Sequence, residues 1–147
     1  MKRFDFRLDR VVAWREEQLD LEESRLHQFQ AALQHLEARR TVLDSEEAAS
    51  ANALVRVAAV SAEVLHQEDR FRRYAARERK LIALKKTATE RSINEQRARV
   101  LEARKKLELL KRLRARRLAA WTADLDRELE QQAAEAHLIR THAVDRT

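Results

Sequence analysis

Apolar residues along the first third of the chain recur at the three- and four-residue steps of a helical stripe. Val12, Leu19, Leu26 and Leu33 lie in one phase, and Leu8, Phe29, Leu36 and Leu43 in its partner. Read as heptads, this seam includes Phe29. It is interrupted by Arg15 and Glu22, then by Arg40 and Glu47, before Leu54 and Val57 resume it. Polar residues in a seam cost stability and fix register. Around residues 55–62 charge thins and Val55, Val57 and Val60 gather; Ser61 is placed to cap a second helix starting at Ala62.

The second arm has its best stripe at Ile93, Val100 and Leu107, joined by Ala103 and Leu110. After Leu110 the phase shifts, and Leu118, Trp121, Leu125 and Leu129 continue on a four-residue offset, the mark of a stutter. Glu68–Arg72, Asp69–Arg73, Glu95–Arg99, Glu102–Lys106 and Glu108–Arg112 stand at i,i+4 in the orientation that supports a helix. The pattern predicts an all-α fold: an antiparallel two-helix coiled-coil hairpin with the second helix longer. Its helices are expected over about residues 7–57 and 62–140 with the turn at 55–62, in a single elongated domain over 1–147.

Composition sharpens this reading. Glycine, proline and cysteine are absent from all 147 residues, where roughly 7% glycine and about 5% proline are usual. Without these punctuators the chain offers few tight turns and no phosphate-cradling glycine loop, so Walker, Rossmann and kinase sites are excluded. Without cysteine there is no disulfide and no thiolate chemistry, which suits a reducing compartment. No serine sits in a nucleophile motif. Among the histidines, His137 and His142 are five apart and do not share a helical face, as a zinc pair at i,i+4 requires; His27, His35 and His66 stand apart from one another. Adjacent acids such as Glu16-Glu17 and Glu46-Glu47 read as solvated faces. The chain is expected to be no enzyme, and to hold no metal or cofactor. No apolar run reaches the ~18–20 residues that span a bilayer, and the start, Met1-Lys2-Arg3-Phe4, does not read as a secretory signal.

Charge divides by arm. Residues 15–69 carry five Lys/Arg against twelve Asp/Glu, whereas residues 70–117 carry nineteen against five. An acidic helix folded back on a basic one is electrostatically consistent, since flanking charges choose partner and orientation. The basic runs, among them Arg72-Arg73, Lys85-Lys86 and Arg104-Lys105-Lys106, leave a nucleic-acid-binding coiled coil or a generic scaffold as alternative readings. Against nucleic acid stands the lack of aromatic interleaving over 75–120. Against a membrane surface stands the lack of an apolar face opposite the charges.

A rise of 1.5 Å per residue gives the first arm ~75 Å and the second ~120 Å, so the second overhangs and leaves Trp121, Leu125 and Leu129 to be buried by another chain. Phe4, Phe6 and Trp14 cluster near the N-terminus, and an antiparallel fold brings Trp14 and Trp121 toward one end as a shared apolar patch. Just past the turn, Phe71, Tyr74, Ala75, Glu78 and Ile82 fall on one stripe. Two readings of it stay open: packing beneath the turn, or a docking stripe with aromatic anchors.

The opening Met1-Lys2-Arg3-Phe4-Asp5-Phe6-Arg7-Leu8-Asp9-Arg10-Val11-Val12 is similar to that of the flagellar export protein FliJ family, whose members begin with a basic residue and then Phe-x-Phe-x-Leu-acidic-x-Val-aliphatic. The tail from Arg127-Glu128-Leu129-Glu130-Gln131-Gln132 to Glu135 and Arg140 resembles the family's charged, glutamine-containing C-terminal segment, with Ala134-Glu135 where an acidic pair is usual. The resemblance is specific over only ~25 residues; the middle matches as generic coiled coil.

The resemblance implies a stalk of the bacterial flagellar type III export apparatus. Such a stalk hydrolyses nothing, enters the export ATPase hexamer with its two termini, engages the cytoplasmic domain of the membrane export gate and recycles export chaperones. On that basis Phe4, Phe6, Trp14, Trp121, Leu125, Arg127, Glu128 and Glu135 are expected at the ring, and Phe71, Tyr74, Ala75, Glu78 and Ile82 at the gate. The expected location is cytoplasmic, peripheral at the cytoplasmic face of the inner membrane, without insertion into it and without nucleic acid.

Overall fold

Two helices make up nearly all of the computed structural model, which describes residues 3–144: α1, Asp9–Val55, and α2, Ala62–Val144. No strand occurs among the described residues. Met1 and Lys2, which open the family-like motif, lie outside them, as do residues 145–147 and the side chain of His142. The helices form an all-α hairpin whose second helix is the longer, 83 residues against 47. The chain divides into two compact units, one of Asp20–Leu101 and one of Met1–Leu19 with Glu102–Thr147.

The Asp20–Leu101 unit contains the turn. Val57 N–H donates to the Leu54 carbonyl at 3.4 Å as α1 ends. No residue of the described chain adopts positive φ, so this turn dispenses with glycine. Ser61 caps α2: its hydroxyl accepts from Val64 N–H at 3.3 Å, and its carbonyl accepts the Leu65 N–H at 3.2 Å. Ser61→Ala is expected to cost about 1 kcal/mol, read as a lowered thermal midpoint in circular dichroism.

Within this unit the helices run antiparallel, because partners on α2 fall in number as those on α1 rise. Glu22 meets Gln96, Glu37 meets Lys86 at 3.1 Å, Asp44 meets Arg79 at 2.9 Å, and Ser50 meets Glu68. Leu43 is fully enclosed by Ala75 and Ile82, with Leu36 packed beside them; Ile93 and Val100 continue the seam. The core is thus one narrow ribbon.

Two of the four polar interruptions of α1, Glu22 and Glu47, are matched across it, whereas Arg40 pairs with Asp44 within α1 and Arg15 lies over Trp14. Gln96, only 3% exposed, donates to the Glu22 carbonyl at 3.0 Å and also to its carboxylate. Glu47 shares the Arg79 guanidinium with Asp44, and hydrogen bonding to Glu47 and then Asp44 raises the arginine's pKa above its ordinary value. A slip of register would strand these groups, which is how polar seam residues specify one alignment.

Two details depart from the sequence pattern. Phe29 is 36% exposed, and Gln30 is turned inward instead. Both positions flank the stripe between Leu26 and Leu33. Gln30 lines a groove with Gln34, Glu37, Glu90, Asn94 and Arg97, whose polar walls suit an amide. Second, a phase change occurs before Leu110: Glu78, Ile82 and Lys86 turn inward at successive four-residue steps, a stutter in the middle of this unit.

In the other unit Asp9 pairs with Arg114 at 3.0 Å and Glu16 with Lys111 at 2.9 Å, again antiparallel. Leu107 and Phe6 are buried there, with Val12 and Leu110 half-buried. Of the anticipated i,i+4 ion pairs of α2, Glu68–Arg72 and Asp69–Arg73 form in the first unit and Glu102–Lys106 and Glu108–Arg112 in this one. Being exposed on at least one side, these pairs contribute little each.

Candidate functional site

Residues 3–8 precede α1 and fold against α2 without being helical themselves. Asp9 N–H donates to the Phe6 carbonyl at 2.9 Å, a turn that reverses the segment into α1 and drives the Phe6 side chain under it to 7% exposure. Phe4 then reaches Trp121, ring centroids 5.9 Å apart and tilted by 55°. Such an aromatic pair is worth about 0.5–1.5 kcal/mol beyond the area it buries. Arg114 holds both the segment and the start of α1, its guanidinium 5.8 Å from the Phe4 ring centroid and its Nε 3.0 Å from Asp9 Oδ1.

Between this segment and α2 lies a cleft of about 660 Å³. Phe4, Leu8, Leu113 and Trp121 supply its apolar wall, and Arg3, Arg7 and Arg117 surround it with Asp5 as the one carboxylate. Its apolar wall and basic rim would suit an apolar side chain flanked by acids. It holds no nucleophile–base pair, and no group of three potential metal ligands occurs among the described residues.

Phe4, Phe6 and Trp121 are therefore brought together. Trp14 is not: it is 49% exposed, with Arg15 stacked over its ring at 4.6 Å. The expected Trp14–Trp121 patch is replaced by Phe4–Trp121, because the non-helical segment doubles back over α2 ahead of α1. This also corrects the overhang. Trp121 and Leu125 are half-buried within the chain, and the wholly exposed stretch of α2 starts after Leu125. From residue 126 to 141 every position is exposed. Leu129, Ala133 and Ala136 share one stripe there, flanked by Glu128, Glu130 and Glu135, while Arg127 is held by Asp124 at 3.2 Å.

Phe4→Ala is expected to expose Trp121. In a Trp14→Phe background, where Trp121 is the one remaining tryptophan, its fluorescence should shift to the red with little change in helicity.

The stripe beyond the turn separates into two parts. Ala75 is fully buried and Ile82 is 5% exposed, both against Leu43, so these two pack the hairpin and are closed to a docking partner. Their heptad spacing faces them into α1. Phe71 and Glu78 are half-buried, and Tyr74 is 41% exposed, its ring 6.5 Å from that of Phe71 and its hydroxyl accepting from Arg39 at 3.2 Å. The docking reading narrows to Phe71 and Tyr74 at the edge of the seam.

Leu54 is half-buried as the seam expects, but Val57, read as resuming it, is 53% exposed because α1 has already ended at Val55; with Val55 at 85% and Leu65 at 55% it leaves exposed apolar residues at the turn. Their signal was the local thinning of charge among β-branched residues.

Compared with known protein families, curated proteins and solved structures, the chain matches none of them. No helix among the described residues is long and apolar enough to cross a membrane.

Proposed function

We propose that this chain is a non-enzymatic stalk of a bacterial flagellar type III export apparatus, docking into the export ATPase hexamer through the unit that carries both chain ends. The observation that carries the reading is the arrangement around Trp121. An N-terminal Phe-x-Phe segment, the part most similar to the FliJ family, is clasped onto α2 shortly before a run of 16 positions that are all exposed. A helix of this length is rarely stable in water without a packed face, so its exposed stripe calls for an external partner. In this reading the clasp and the bare stretch enter the ring together.

Gate contact falls to Phe71 and Tyr74, since Ala75 and Ile82 are committed to the core. Export chaperones and a peripheral position at the cytoplasmic face of the inner membrane follow from the same resemblance. The direct test is co-purification with the export ATPase together with its hydrolysis rate. The proposal expects a complex and a stimulated rate, and an ATPase that neither binds nor responds would refute it.

A further inference from the structure

In the Asp20–Leu101 unit, the face of α2 turned away from α1 carries Arg70, Arg77, Lys80, Leu84 and Arg91, with Leu81 beside them; all are exposed. Lys80, Leu84 and Arg91 continue the line from Arg77 at three-, four- and seven-residue steps, so they form one ridge. Leu84 lies two residues from the buried Ile82, about 200° around the helix, and is 69% exposed; Leu81 is 48% exposed.

Between Arg70 and Arg91 carboxylates are kept off this ridge; the exposed Glu95 stands one turn beyond Arg91. Asp69, at its start, is taken up by Arg73 at 2.9 Å. Glu78 is half-buried along the seam, and Glu90 lines the groove shared with Glu37 and Ile93. From Arg70 to Arg91 the outward surface is therefore basic with two leucines standing out of it.

The geometry points to this ridge as a site of peripheral adsorption to an anionic phospholipid surface, with the helix lying along the headgroups. Basic side chains near such a surface each raise partition roughly five-fold. Their aliphatic stems lie alongside the leucines while the charged heads reach phosphate. Leu81 and Leu84 enter the headgroup–acyl boundary, which supplies the apolar contact that the sequence pattern did not reveal. A duplex nucleic acid would use the charges but leave both leucines in water, and no aromatic on the ridge is available for base stacking. This assignment does not depend on the stalk proposal, and its test contains no ATPase.

The full-length chain is floated with vesicles of phosphatidylglycerol and phosphatidylcholine in equal parts, and with vesicles of phosphatidylcholine alone. Binding is expected to the mixed vesicles only and to weaken as salt is raised. Lys80→Gln with Arg91→Gln should lower partition roughly thirty-fold. Leu81→Ser with Leu84→Ser, which keeps every charge, should lower it about ten-fold. Neither pair touches the seam, so circular dichroism should be unchanged. Failure to float with the mixed vesicles overturns the assignment, and so does equal binding to phosphatidylcholine alone. Retention of full binding by the leucine pair also overturns it. If duplex DNA binds more tightly than the mixed vesicles and ignores the leucine substitutions, the ridge is a nucleic-acid surface instead.

Discussion

Leu43→Ala is expected to lower stability by about 3 kcal/mol, the largest effect of any single truncation in the seam. Among the described residues Leu43 is the one large side chain with no solvent exposure, and it packs against Ala75 and Ile82. Ala75 has no volume with which to close the gap, and Ile82 is held by its own turn of helix. The truncation therefore loses both the transfer free energy of the leucine and the packing around the cavity left behind. Thermal or urea unfolding followed by circular dichroism reads the change. A drop below ~1 kcal/mol would mean that the seam around Leu43 collapses to fill the space. Leu129→Ala is the contrasting case. That leucine is 41% exposed in the bare stretch of α2, so its truncation should leave the unfolding midpoint almost unmoved.

If the chain is the proposed stalk, Leu129→Asp combined with Ala133→Asp is expected to abolish most of its stimulation of the export ATPase while the hairpin stays folded. Both positions are exposed on the stripe of α2 beyond Leu125, so the buried seam is left as it is. Two new carboxylates join Glu128, Glu130 and Glu135 along the same segment. Docking would then require burying charge where apolar groups had been, a loss of about 2 kcal/mol at a buried anchor, roughly thirty-fold in affinity. Titrating the ATPase rate against the variant and the parent chain measures it, with circular dichroism as the control. Unchanged stimulation would remove the bare stretch from the ring contact. Loss of stimulation together with a lowered unfolding midpoint would instead show that the segment supports the hairpin.

How much of this was legible beforehand differs by element. The Ser61 cap was readable because a short polar side chain ahead of an apolar-periodic run is a local signal, and the capping bond spans only three residues. Ile93, Val100 and Leu107 were readable because all three stand seven apart and all three are buried. Phe29 and Gln30 were not separable by spacing: both stand within half a turn of the stripe, and the polar groove beside Asn94 decides between them. The clasp of Phe4 onto Trp121 had no periodic signal at all, since residues 3–8 are not helical and period reports only on regular elements. The docking stripe past the turn was readable as a stripe, yet its spacing is equally that of a core.

What the sequence by itself determined is the pair of long helices, their hairpin order and the sign of charge on each. Those follow from the absence of glycine and proline, from three- and four-residue spacing and from composition, all of which act within one helix or along one chain. Only the tertiary structure decided which face of each stripe is closed. Ala75 and Ile82 went to the core, Trp121 received Phe4 as its cover, and Leu81 and Leu84 were left outward among the basic side chains. The physical reason is that periodicity assigns an angle around a single helix axis, whereas burial depends on what stands opposite that angle. That is set by register across the seam, where Gln96 meets Glu22 and Arg79 meets Asp44 and Glu47.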